Sequence, residues 1–375
     1  MSLTVPTDIS DPVNARILAV SEDRIAGFLD EPFAEIARLS GLPQETVLER
    51  LRAMLESGVI RRVRQTLMAT NLAPGALVAW RVATERLDDA FDLLAKDDPF
   101  SGHVVIRSTD AETPGSVYRL WTTLKVPQGF SMQRHCELLA SRIGASAFRI
   151  MPAKRLFALG VGHVRRRGME PGSRTDEPGQ VLDTNIVELS ELEWRVLGPL
   201  KREFEPDELR PEPWRSRADE AGVSLDGFLS VARGLAARGV IGRFSTFLEH
   251  VKPSSTGARV TRYNALFHWR VPVGREIEAG REVGRHHILT HAYWREGGSE
   301  FADVNIMAVA HGTEKPAVLA HKAAIDAHLE SVGIPVSYTN VFWGGRSEIK
   351  PSEIMPQAYE AWLRSVGIEP SAMRV

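Results

Sequence analysis

Between Pro43 and Ser57 the apolar residues Val47, Leu48, Leu51, Met54 and Leu55 recur at helical spacing, which predicts an amphipathic helix with one buried stripe. Two further helices are expected before it, over Asp11–Ser21 and Glu31–Ser40. The turn Ser40-Gly41-Leu42-Pro43 joins the last pair in the manner of a helix-turn-helix, with Gly at the turn and Pro near the first helical position. Gly58 ends the helix, and Val59-Ile60-Arg61-Arg62-Val63 reads as the first strand of a wing. Alternating strands and helices follow. Strands are predicted over 76–83, 102–108, 117–125 and 146–151, with helices over 85–96 and 130–142 between them. This βαββαβ order predicts a ferredoxin-like sheet with both helices on one face and the other face open to a ligand.

The arrangement returns. Gly41 and Gly58 recur as Gly222 and Gly239, both 181 residues on, with an apolar stripe Phe228, Leu229, Ala232, Leu235 and Ala236 between them. Gly58-Val59-Ile60-Arg61-Arg62 becomes Gly239-Val240-Ile241-Gly242-Arg243. Trp80-Arg81-Val82 matches Trp269-Arg270-Val271 at an offset of 189, and His103 matches His291 at 188. Offsets that drift so little, with the difference absorbed in loops, indicate an internal duplication. The second half offers strands over 263–271, 289–296, 302–310 and 334–342, helices over 275–284 and 316–330, and a last helix over 356–366. The expected fold is therefore α+β, in two tandem halves. Winged helix-turn-helix segments are expected at 10–66 and 183–248, and ferredoxin-like domains at 74–165 and 260–350. A Gly-, Pro- and charge-rich linker is expected over 166–182, and a C-terminal helical segment over 351–375.

Composition narrows the function classes. At 375 residues, with 43% hydrophobic and 25% charged residues, the chain has the size and make-up of a globular protein of two domains or more. A formal charge of −2 supplies no global field toward nucleic acid or an anionic membrane. The lone Cys136 excludes an internal disulfide framework and fits a reducing cytoplasm; it is expected to be buried rather than nucleophilic. No run approaches about 18 apolar residues, so no membrane span is expected. There is no Gly-x-Ser-x-Gly elbow, no His-Glu-x-x-His, no Cys-x-x-Cys and no phosphate-cradling loop, so no resident metal site is expected.

Two short stretches concentrate the chemistry. His291-Ala292-Tyr293-Trp294-Arg295 and His103-Val104-Val105-Ile106-Arg107 both read His-x-x-x-Arg on a predicted strand. Period-two alternation sets His, the middle residue and Arg on one face, pairing a group that titrates near neutrality with a fixed cation. Such a face suits a substrate that has carboxylates to hold and a proton to move. Arg107, Arg119, Arg155 and Arg295 are the candidate clamps, since the guanidinium fork fits a carboxylate. His291 and His103 are the candidate proton donors. Tyr293, Trp294, Tyr118 and Trp121 are candidates for stacking on a flat ring, although Tyr118 alternates away from Trp121 on a regular strand. His163, His286, His287 and His311 have weaker claims, and Arg165-Arg166-Arg167 reads as a solvated lead-in to the linker.

These residues resemble a family. A winged helix-turn-helix joined to a βαββαβ sheet is the plan of the Lrp/AsnC regulators, and the chain is similar to their siroheme decarboxylase branch in its fused two-subunit form, which acts in heme d1 biosynthesis; related enzymes serve an alternative heme route. The resemblance covers about 15–160 and 185–350. That family's second strand reads His-Asn-Tyr-Leu-Arg, which 291–295 follow closely and 103–107 loosely. Its third strand reads Tyr-Asn-Leu-Trp-Phe-Thr, matched by Tyr118-Arg119-Leu120-Trp121-Thr122-Thr123, and its closing Pro-Ala-x-Arg-Leu-Phe stands at Pro152–Phe157. The second half departs: Asp303-Val304-Asn305-Ile306-Met307 replaces the aromatic strand and Thr339-Asn340-Val341-Phe342 the closing motif. The first half lacks the Tyr of the His motif. Each half keeps what the other has lost, and the second is expected to be catalytic.

The resemblance implies non-oxidative removal of the acetate carboxyls of siroheme, giving didecarboxysiroheme, with no added cofactor because the iron enters with the substrate. It also implies a pseudo-dimer within one chain, whose sheets pair face to face, with a homo-oligomer or a complex with related decarboxylase subunits as further partners. His291, helped by His103, would protonate the carbon that loses CO2, and Arg295, Arg107, Arg119, Arg155, Tyr293, Trp294 and Trp121 would bind the tetrapyrrole. The rival readings are a ligand-responsive DNA-binding regulator and a tetrapyrrole carrier without turnover. The predicted recognition helices argue against the regulator: Glu45, Glu49 and Glu56 offset Arg50 and Arg52 in one, and the other holds Asp226 with Gly227 and Gly234.

Overall fold

The computed structural model describes residues 5–68, 71–159, 169–182, 186–248 and 262–375. The Asp11 carboxylate accepts from the N–H groups of Val13 and Asn14, starting α1 (Pro12–Ser21). A two-residue strand β1 (Ile25–Ala26), then α2 (Pro32–Ser40) and α3 (Gln44–Glu56) follow, with Gly41 in the left-handed region at the turn between the helices. Strand β2 (Ile60–Leu67) completes the first wing. Next come β3 (Gly75–Arg81), α4 (Leu87–Lys96), β4 (Ser101–Ser108), β5 (Leu120–Lys125), α5 (Met132–Ile143), β6 (Ala147–Pro152) and β7 (Arg155–Leu159).

The second half repeats the order. Helices α6 (Glu191–Lys201), α7 (Arg215–Ala221) and α8 (Leu225–Ala237) lead into β8 (Ile241–Leu248). Then follow β9 (Tyr263–Arg270), α9 (Glu276–Gly284), β10 (Leu289–Trp294), β11 (Ile306–Gly312), α10 (Lys315–Ser331), β12 (Tyr338–Ile349) and α11 (Pro356–Ser365). His163 and the Arg165-Arg166-Arg167 run lie outside the described residues, as does the start of the expected linker at 166–168. No described helix is long and apolar enough to cross a membrane.

The chain divides into two compact units. One gathers both helix-turn-helix segments around a three-stranded sheet of order β1-β8-β2, in which the two wing strands pair antiparallel from Ile60–Leu248 to Leu67–Ile241. Phe33, Phe204, Trp214, Phe228 and Phe244 form its aromatic centre, with Phe33 and Phe244 edge to face at 5.3 Å.

The other unit is a nine-stranded sheet of order β6-β3-β5-β4-β12-β9-β11-β10-β7. Two ferredoxin-like sets, β6-β3-β5-β4 and β12-β9-β11-β10, are joined through β4 and β12. The exchange is reciprocal. After β6 the chain bends at Pro152–Lys154, and β7 pairs with β10 of the second half. The last part of β12, from Trp343 to Ile349, likewise pairs with β4 of the first half, past a bulge between Gly344 and Ser347. The partner of the closing motif is thus 343–349 and not Thr339–Phe342, because Phe342 is still pairing with Leu266 of β9.

Alternation along the strands then fixes three cores. Trp80, Val104, Leu120 and Leu124 point at α4, α5 and α11, while Phe267, Trp269, Ala292 and Ala308 point at α9 and α10. The opposite faces meet each other: Ala79, Val105, Trp121 and Met151 of the first half pack with Leu266, Phe301, Met307 and Phe342 of the second. The sheet faces left open by the helices therefore cover one another. Trp121 is fully buried there, with ring centroids 5.4 Å from Phe301 and 5.2 Å from Phe342, and its indole N–H donates to the Tyr118 carbonyl at 2.6 Å. Replacing Trp121 with Ala should cost about 3–5 kcal/mol of stability in urea unfolding, the penalty of a large core cavity; a loss under about 1 kcal/mol would show that the two faces do not form a common core.

Candidate functional site

In β10 the expected alternation holds from His291 onward. Ala292 and Trp294 turn toward the helix-side core, so His291, Tyr293 and Arg295 share the face that looks at the other half. The three side chains stack. The rings of His291 and Tyr293 lie 6.0 Å apart and nearly parallel, at 12°, and the Arg295 guanidinium sits 4.4 Å from the Tyr293 ring centre. Arg295 is only 8% exposed and donates to the Met151 carbonyl of β6. Burial pushes the Tyr293 phenol above its usual value and the Arg295 guanidinium below its own.

His291 is oriented from behind. The Thr290 hydroxyl donates to the Val309 carbonyl at 3.2 Å and lies 3.0 Å from His291 Nδ1. In the tautomer where the hydroxyl proton goes to Val309, the hydroxyl oxygen accepts from His291 Nδ1–H and Nε2 is the nitrogen that exchanges a proton.

The equivalent face of β4 is built differently. His103 Nε2 lies 2.8 Å from the Ser347 hydroxyl, and its backbone N–H donates to Thr123 Oγ1 at 2.9 Å. Val105 occupies the place of Tyr293 and packs in the shared core. Arg107, 4% exposed, donates to the Phe342 carbonyl at 3.2 Å and to Asn264 Oδ1 at 3.4 Å. Burial draws its value down to about 9. Burial and then the Arg107 charge hold the neighbouring His268 neutral, at about 3.

The other expected ligand contacts separate from these faces. Trp294 points to the helix side, with the Lys154 ammonium 4.9 Å from its ring centre. Arg155 lies directly opposite Trp294 in the ladder, hence on that same outer side. It cannot clamp a ligand beside Tyr293. Its counterpart near the end of β12, Arg346, is bound to Asp88 and Asp92 and lies 4.2 Å from the centre of the Phe91 ring. Trp121 is core. Tyr118 joins it there, 5.1 Å from Phe301, because β5 begins only at Leu120 and the turn before it breaks the alternation. Arg119 is half-buried just ahead of that strand and makes no side-chain hydrogen bond among the described residues. Cys136 is buried and its thiol is pushed up, chiefly by burial.

One residue of the site was not foreseen. Trp121, Thr123 and Lys125 alternate along the same face of β5. Lys125 is half-buried, and its value is drawn down from 10.5 to about 8 by burial and then by the Arg295 charge. Carrying the period of the third strand two residues past Thr123 would have found it.

The chain is similar to several known proteins. Residues 28–61 match the family described as the siroheme decarboxylase NirDL-like HTH domain, and residues 73–158 the AsnC-like ligand binding domain. The siroheme decarboxylase beta subunit of Desulfovibrio desulfuricans is 27% identical over 107 residues, 28% of this chain and 62% of that one. The siroheme decarboxylase NirDL subunit of Paracoccus pantotrophus is 24% identical over 265 residues, 70% of this chain and 74% of that one. The chain spans about three fifths of the length of the beta subunits it matches. The crystal structure of the siroheme decarboxylase NirDL has the same fold, with a TM-score of 0.65 at 20% identity over 94% of this chain and 97% of that one. The same protein in complex with an iron-uroporphyrin III analogue gives 0.64 at 18% identity over 94% of this chain and 99% of that one.

The folded-state value of Lys125 lies below the unfolded one, so between about pH 8 and 10.5 the unfolded chain binds the extra proton and stability rises with pH. Below about pH 8 the full cost of the buried charge is present. Lys125→Met should therefore be the more stable protein at pH 7, by about 1–3 kcal/mol in urea unfolding, and the gap should close as the pH approaches 10.5. A less stable variant at pH 7 would mean that Lys125 has an internal counter-charge.

Proposed function

We propose that this chain, which belongs to the Lrp/AsnC-like siroheme decarboxylases, removes the acetate carboxyl groups of siroheme without oxidation and leaves methyl groups in their place. Each step breaks the bond between a side-chain methylene and its carboxylate carbon, releases CO2 and places one proton on the carbon left behind. The observation that carries this reading is the stack of His291, Tyr293 and Arg295, in which a proton donor and a buried cation share one face with an aromatic ring between them. Arg295 holds a carboxylate of the substrate, Tyr293 supplies a flat apolar wall, and His291, with its Nδ1–H fixed by Thr290, delivers the proton from Nε2. The iron belongs to the substrate and the residues do the proton work.

The second half is the catalytic one in this reading. His103 lacks the neighbouring ring and is already hydrogen-bonded through Nε2 to Ser347, and Arg107 is occupied by Asn264 and the Phe342 carbonyl. That relatives are named as subunits supports assembly with related chains. A DNA-reading role finds no support in α3. Arg50 donates to Asp11 and Asn14 at 3.1 and 3.3 Å, and Arg52 to the Leu209 carbonyl at 3.0 Å, so both basic groups of that helix are used inside the protein.

Anaerobic incubation of the purified protein with siroheme, followed by mass, should show loss of one or two CO2. His291→Ala should lower turnover by at least about 100-fold, the usual contribution of a general acid, while the absorption change on binding persists. Undiminished turnover in that variant would remove His291 from the mechanism, and a bound but unchanged substrate in the wild type would point to a carrier.

A further inference from the structure

The two His-x-x-x-Arg faces differ in how the arginine is satisfied. Aligning Trp80 with Trp269 through the strand registers puts Gly75 in the place of Asn264 and Lys125 in the place of His311. At the first face the Asn264 amide oxygen takes hydrogen bonds from Arg107. At the second, the equivalent Gly75 has no side chain to offer, and a Cβ there would come 3.1 Å from the Lys125 ammonium. The space that an internal acceptor would fill is given to a second cation.

The ladder registers place Lys125 on the same face and in the same region as Arg295. Arg295 donates to Met151 on β6, Met151 lies opposite Leu77 on β3, and Leu77 lies opposite Thr123 on β5. Two residues along the same face stands Lys125. Among the described residues neither Lys125 nor Arg295 pairs with a carboxylate, and the Lys125 ammonium makes no hydrogen bond. Two like charges in one partly buried region without a counter-ion are costly, and an anionic ligand between them lowers the cost.

We propose that Lys125, from the first half, and Arg295, from the second, form a composite clamp for a substrate carboxylate, and that this is a propionate and not the acetate that is expelled. The inference rests on the tetrapyrrole reading above. Its second part follows from the direction of the reaction. A pair of cations binds a carboxylate more strongly than neutral CO2, so gripping the departing group would stabilise the ground state and slow the step. The clamp can only assist by holding a carboxylate that stays.

Absorption titrations test this with two probes. Iron-uroporphyrin III carries acetates and propionates, and iron-coproporphyrin III carries the propionates with methyls in place of the acetates. Lys125→Met should bind both about tenfold or more weakly than wild type, with Lys125→Arg restoring affinity. With siroheme, Lys125→Met should raise KM more than it lowers kcat. Undiminished binding of both probes, or weakening confined to iron-uroporphyrin, would overturn the proposal. The methionine variant's own unfolding curve shows that it is folded. Wild-type protein that binds neither probe would instead overturn the tetrapyrrole reading and this inference with it.

Discussion

The backbone ladders that cross between the halves are the constraint on which the sheet unit depends. Hydrogen bonds from β7 to β10 and from the end of β12 to β4 turn the second strand of each ferredoxin-like set from an edge into an interior strand. In an isolated βαββαβ sheet that strand would be free on one side. Here it is held on both sides, and the bend at Pro152–Lys154 and the bulge at Gly344–Ser347 carry the chain from one set to the other. The crossing brings the two open faces together, so Trp121, Met151, Phe301, Met307 and Phe342 form one core. The His-x-x-x-Arg faces then look into the protein instead of into solvent.

Burial of an arginine without a carboxylate is unfavourable and has to be offset locally. Arg107 has a carbonyl and an amide oxygen, and its Nε is left without a partner. Arg295 has one carbonyl and the face of Tyr293, which attracts a cation more weakly than a full hydrogen bond to an anion would. The large apolar core between the sheets supports both. An anionic ligand would offset that cost at either face, and the two faces differ in that only the first offers its arginine a side-chain amide oxygen. The same reasoning separates residues that only look functional: Arg346 and Arg50 carry the same guanidinium as Arg295, but each has an acidic partner within the fold.

What could be read from the sequence follows the reach of its local signals. The helix-turn-helix segments and the strand and helix order were legible because period 3.6, period two and the turn glycines are written within a few residues of one another. So was the common face of His291, Tyr293 and Arg295, which needs only alternation. The exchange of β7 and of the β12 end was not, because pairing between strands more than a hundred residues apart leaves no local trace, and five residues after a proline did not read as a strand. That blind spot explains the misplaced ligand contacts. Arg155, in the closing motif, and Trp294, in the His motif, carry the residue types of a ligand clamp, whereas the ladder puts them opposite each other on the outer side. Trp121 has the ring of a stacking platform, and only its place in the core shared by the two sheet faces shows that it packs there instead.

The fusion of two halves gives the differences between them a physical meaning. In a homodimer any change in one sheet would be copied in the other. Val105 against Tyr293, Asn264 against Gly75 and His311 against Lys125 could then not stand at equivalent positions of one assembly. A single chain can specialise each face separately: the first sets its arginine against a side-chain amide and adds its packing to the core, and the second has an arginine without a carboxylate partner and a histidine beside a ring. Because the site of the second half takes its lysine from the first, neither half carries the complete set. The departures of each half from the family's motifs are then parts of one asymmetric site, not independent losses.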